Sequence, residues 1–103
     1  MANDMLAIGI IPNARFSPGQ IVVSTGVNAL VQTGRFNPGP YLARHLTGDW
    51  GDLDDNDRHL NEAALKSGKD RLVSSYEIAS NLTLWIITEW DRSVTTLLLP
   101  SEY

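Results

Sequence analysis

His45, Asp49, Asp52 and His59 are the side chains of this chain whose types and spacing could do chemistry. Imidazole nitrogens and carboxylate oxygens together suit a transition-metal ion, and a bound ion that activates water would make a small metal-assisted hydrolase or nuclease. The fourteen-residue step from His45 to His59 fixes no geometry, however. Each histidine also has a plainer role, His45 as a cation at a helix C-terminus and His59 on a solvated helix face. Asp52-Leu53-Asp54-Asp55-Asn56 alternates oxygen ligands as a calcium loop does, but the sixth position is Asp57 where that loop needs glycine, and the twelfth is Ala63 where it needs glutamate. No serine lies in a Gly-x-Ser-x-Gly elbow, and no glycine-rich loop leads into a helix with the lysine that phosphate binding requires. The absence of cysteine excludes thiolate zinc sites and cysteine nucleophiles. The sequence therefore assigns no catalytic residue, no metal and no cofactor, and it leans away from an enzyme.

Two stretches read better as binding surfaces. Residues 45 to 57 carry five carboxylates and Trp50, which sits between Gly48 and Gly51. An indole there either docks onto the domain or is presented to a partner, because leaving it in water forfeits a large apolar burial. Asp54, Asp55 and Asp57 are explained by helix initiation, whereas Asp49 and Asp52 are not. Glu89-Trp90-Asp91-Arg92 gathers two acids, an indole and a guanidinium at a hairpin tip, either as a recognition epitope or as a charged turn that blunts a sheet edge. Asp49, Trp50, Asp52, Trp90, Asp91 and Arg92 are thus the residues expected to meet a protein partner.

The elements that position them follow from pattern. Gln20-Ile21-Val22-Val23-Ser24 is β-branched and follows a Pro18-Gly19 turn, giving a strand over 20–24. Helical spacing predicts helices over 26–33, 40–47 and 55–67, the first capped by Thr25 and the last by Asp54 or Asp55, with Leu53, Leu60 and Ala64 on one stripe of the last. From Arg71 the period changes to two, and a meander of strands over 71–79, 82–89 and 94–99 is expected, with Asn81 and Asp91-Arg92 in the turns. The fold class is α+β: a four-stranded, mainly antiparallel sheet covered on one face by three short helices. Leu84-Trp85-Ile86-Ile87 puts large apolar side chains on both faces of one strand, so a homodimer is expected, formed through the second face or along the sheet edge.

The 103 residues suffice for one domain, here 16–103, preceded by an N-terminal tail or added edge strand over 1–15, whose residues 5 to 11 could contribute to the dimer. A net charge of −4 argues against direct nucleic-acid binding, which needs a field of Lys and Arg. The apolar run from Met5 to Ile11 is too short to span a bilayer and lacks a cationic lead-in, and with no cysteine a cytoplasmic location is expected.

One further pattern joins these segments. Pro18-Gly19-Gln20-Ile21-Val22, then Arg44 through Asp52, then Asn61-Glu62-Ala63-Ala64-Leu65, then Trp85 through Tyr103, in that order, resemble a family of small proteins carried by bacterial plasmids and integrative elements and labelled plasmid-related proteins. The resemblance spans about residues 16–103; Trp90 stands where the family's run has alanine. It implies an accessory role in a mobile genetic element, such as interference with host defence or regulation of the element, and it brings no catalytic residues.

Overall fold

The computed structural model describes residues 13–103, so residues 1–12 of the expected tail or edge strand, and with them the dimer role of residues 5 to 11, lie outside the described residues, while Arg15 at its end is tied to the domain through its N–H to the Leu46 carbonyl. Strand β1 (Gln20–Val23) leads directly into helix α1 (Thr25–Gln32), and helices α2 (Gly39–Leu46) and α3 (Asp55–Ser67) follow. The meander comprises β2 (Leu72–Ala79), β3 (Leu82–Thr88) and β4 (Val94–Leu98), and a 3₁₀ turn (Pro100–Glu102) ends the chain. This is the expected α+β fold. The sheet order is β1-β4-β3-β2, with β1 parallel to β4 and the two meander pairs antiparallel.

Local chemistry sets the helix ends. The cap of α1 is Ser24, whose hydroxyl accepts the Val27 N–H, so Thr25 is the first helical residue instead of the cap. Asp54 caps α3 by accepting the Asp57 N–H at 2.8 Å, and Gly68 closes that helix in the left-handed conformation.

One face of the sheet meets the helices. Tyr76, Leu84, Ile86 and Leu97 pack there against Val27, Leu42 and Leu46, and a second cluster of Trp50, Ala64 and Leu72 adjoins it through Phe16. The buried stripe of α3 departs from the expected one. Leu60 is 61% exposed, and Asn61 takes the inward position beside Ala64. The reason is hydrogen bonding: the Asn61 amide donates to the Val73 carbonyl at 2.7 Å and accepts the Val73 N–H at 3.1 Å. A leucine could do neither.

That contact is one of three that close the outer edge of β2. The Ser75 carbonyl accepts the Asp52 N–H and its N–H donates to the Trp50 carbonyl, while the Asp52 carboxylate accepts the Glu77 N–H. An exposed strand edge is a template for pairing with another chain, and here the acidic junction occupies it. Both outward backbone groups of Val73 and Ser75, and the N–H of Glu77, are thereby taken up within the chain.

The second sheet face carries Val73, Ser75, Trp85, Ile87, Thr96 and Leu98 by strand register. Tyr103 folds over Trp85 edge-to-face, with ring centroids 5.5 Å apart. Tyr103 thus covers part of Trp85 on a face that the sequence alone leaves open, and Ile87 on the same face is 5% exposed.

Candidate protein-binding surface

The junction between α2 and α3 is built as a clamp. Arg44 and Asp49 form a bidentate pair at 2.7 and 3.2 Å, Arg44 lies 4.6 Å over the Tyr76 ring, and the Tyr76 hydroxyl donates to the Asp49 carbonyl at 2.6 Å. The hydrogen bond from Arg44 holds the Asp49 carboxyl below its usual range, and burial pushes the Tyr76 phenol up to about 12. Gly51 has φ 78°, and a Cβ there would collide with the Ser75 carbonyl, so the close approach that seals the β2 edge demands glycine. Arg58 reaches back from α3 to the carbonyls of Leu53 and Gly51 at 2.9 and 2.7 Å.

Trp50 takes the docking role of the two open to it. It is 2% exposed, stacks beside Phe16, meets His45 edge-on, and donates its indole N–H to Glu62 at 3.0 Å. Glu62 also receives both terminal nitrogens of Arg15, whose hydrogen bonds hold its carboxyl below the usual range. The indole is therefore not available to a partner on this folded surface. Asp49 and Asp52, which helix initiation leaves unexplained, are accounted for by Arg44 and by the β2 edge.

His45 lies wholly inside the domain. Its Nδ1 meets the Ser74 hydroxyl, its Nε2 meets Thr88 Oγ1 at 2.9 Å, Thr88 meets Thr95 at 2.7 Å, and Thr95 donates to the Pro18 carbonyl at 2.7 Å. Because that carbonyl can only accept, each proton along the chain is assigned in turn: Thr88 donates to Thr95, Nε2–H donates to Thr88, and Ser74 donates to Nδ1. Burial lowers the imidazole to about 3, so it is the neutral ring that performs this role. His45 is therefore a buried joint between α2 and the sheet, not a helix-terminal cation. His59 is exposed on α3, with Nδ1 against the Asp55 carbonyl. The four side chains considered for a metal thus serve separate local contacts, and among the described residues no group of three or more His, Asp or Glu side chains is arranged to hold an ion.

At the β3–β4 tip the three named residues divide. Asp91 accepts the Ser93 N–H and hydroxyl, closing the turn on itself. Arg92 donates to the carbonyls of Asp70 at 2.6 Å and Ala64 at 3.1 Å, tying the tip to the end of α3 and the start of β2. Trp90 alone projects, 62% exposed.

What the sequence does not signal is a trough on the second sheet face. The sheet face contributes Val73, Ile87 and Trp85 to it, Leu53 and Tyr103 line it from outside the sheet, and its volume is about 490 Å³. A neighbouring hollow of about 370 Å³ shares four of its lining residues with the trough and reaches Leu60 and Asp70. The only advance sign was the run of apolar residues at 84–87 on both faces of β3; Leu53, Arg71 and Tyr103 come from distant segments, so no local motif brings them together.

No helix among the described residues is long and apolar enough to cross a membrane. Comparison of the chain with protein-family models, with curated proteins and with solved structures found no match.

Proposed function

We propose that this chain is a non-enzymatic protein-binding domain whose working surface is the open part of the second sheet face. The observation that carries this reading is the trough lined by Val73, Trp85, Ile87 and Tyr103: Ile87 itself is buried, while Val73, Trp85 and Tyr103 keep accessible apolar surface after the chain has folded. Apolar grooves of this kind in small domains mark sites of association. Its occupant is a protein partner or a second copy of the chain. Trp90, solvent-exposed on the tip, is a second contact point. The resemblance to plasmid-related proteins supports a setting in the bacterial cytoplasm, as an accessory of a mobile genetic element that regulates the element or interferes with host defence.

The test is site-specific photo-crosslinking in a bacterial host, with the reactive group at Ser75 in the trough and, for comparison, at exposed Gln32 on α1. Covalent adducts with a polypeptide at Ser75 and not at Gln32 are expected. No adduct at Ser75, or equal labelling at both positions, overturns the reading.

A further inference from the structure

We infer that the trough takes a basic segment of a different polypeptide, one that presents apolar side chains between lysines or arginines. This rests on the protein-binding reading and adds the chemistry of the partner. The two hollows adjoin, sharing Leu53, Asp57, Arg71 and Val73 in their linings, so the apolar side chains from Tyr103 and Trp85 past Val73 to Leu60 lie along one track. Asp52, Asp54, Asp57 and Asp70 stand along that track, and the lone cation among its lining residues is Arg71. Arg71 is itself engaged, donating to the Tyr103 hydroxyl at 2.8 Å with its guanidinium carbon 5.7 Å from the ring. The ion pairs among the described residues are Arg15–Glu62 and Arg44–Asp49, so none of the four track carboxylates is paired to a cation.

An apolar floor flanked by unpaired carboxylates is complementary to apolar side chains flanked by positive charge. It disfavours phosphate, which would meet like charge. A second copy is disfavoured on the same ground, since it would bring an identical row of carboxylates from a chain of net charge −4. Asn61, Trp50 and Asp52 already occupy the β2 edge at Val73, Ser75 and the Glu77 N–H, which disfavours pairing there. The occupant is therefore a cationic stranger.

The experiment titrates the 103-residue chain with a short end-capped peptide alternating lysine with leucine, followed by amide and indole NMR shifts and by light scattering. Two comparison peptides replace every lysine by glutamate or every leucine by glycine. Saturable shifts centred on Val73, Ser75, Ile87 and the Trp85 indole are expected with the lysine–leucine peptide, with affinity about tenfold or more above either comparison. That affinity should weaken several-fold between about 50 and about 300 mM salt, because the contact is partly Coulombic and solvent-exposed. The combined variant Asp54→Asn, Asp57→Asn, Asp70→Asn keeps a capping side chain at position 54, and an unchanged amide spectrum will show that it folds. It should lose the preference for lysine over glutamate. Equal binding of both leucine peptides removes the charge complementarity while leaving the protein-binding reading intact. A dimer mass with the trough residues protected and no peptide binding makes a second copy the occupant and overturns the inference. Absence of peptide binding by a monomer also overturns it, and crosslinking at Ser75 then decides separately whether the broader reading survives.

Discussion

Every proton in the chain of contacts from Ser74 through His45, Thr88 and Thr95 to the Pro18 carbonyl has one place to go, and that makes His45 a structural residue with a pH signature. The unfolded imidazole titrates near 6.5 and the folded one near about 3, so between those values the unfolded chain binds the extra proton. The stabilisation from the neutral ring is therefore complete above about pH 6.5 and is lost as pH falls toward about 3, by a few kcal/mol in all. We expect the melting temperature of the parent to fall more steeply between those limits than that of His45→Gln, and parallel curves would contradict the assignment. Trp50 belongs to the same scale. Trp50→Ala should cost about 3 kcal/mol from lost packing against Phe16, and Trp50→Phe about 1 kcal/mol from the lost bond to Glu62, read from urea midpoints. Equal midpoints for parent and Trp50→Ala would mean that the indole is not packed.

The element whose behaviour is most open to test is the β2 edge. Asn61 satisfies both backbone groups of Val73, so Asn61→Ala should destabilise the domain by about 2 kcal/mol and speed hydrogen exchange at the Val73 amide more than at Ile86 in the sheet centre. Uniform acceleration across the sheet would count against a local edge role. The acidic junction makes a companion expectation. Asp49, Asp52 and Asp54 already accept hydrogen bonds from Arg44, Glu77 and Asp57, so added calcium, magnesium or zinc, or a chelator, should leave the melting temperature unchanged. A ligand that binds only the folded state must raise it, and a saturable rise with any of these ions would revive metal chemistry at the junction.

At the scale of the whole molecule, the sheet has one face sealed by helices and one partly sealed by its own C-terminal turn. Glu102 fastens that turn: its carboxylate accepts the Ser24 hydroxyl and the N–H groups of Gly26 and Leu99 at 2.8 Å each. Those bonds, Ser24 foremost, hold its carboxyl below the ordinary range, so they favour the fastened turn above that range and release it as the acid protonates. Glu102→Gln should loosen the turn and raise the exposure of Trp85, seen as stronger quenching of tryptophan fluorescence by acrylamide. Unchanged quenching would show that the turn is held by Tyr103 and Arg71 alone.

Period and punctuation were enough for the α+β class, the three helices, the three meander strands and the existence of the first strand, because each depends on contacts within a few residues of chain, whereas the parallel pairing of β1 with β4 was set by the fold. Side-chain type also narrowed the cap of α3 to Asp54 or Asp55 and marked the turns at Asn81 and Asp91-Arg92 for the same reason. The choice between a docked and a presented Trp50 depended on Phe16, His45 and Glu62, which arrive from three different segments. Likewise Asn61 could not be ranked above Leu60 as the inward residue until β2 lay beside α3 with its edge unpaired. The trough was the furthest from legible: β3 supplies Trp85 and Ile87, but Leu53, Val73 and Tyr103 reach it only through sheet register and the fold-back of the C-terminus. Local sequence determined the elements, and the burial of hydrogen-bonding groups that only tertiary neighbours can satisfy decided which surfaces closed and which stayed open.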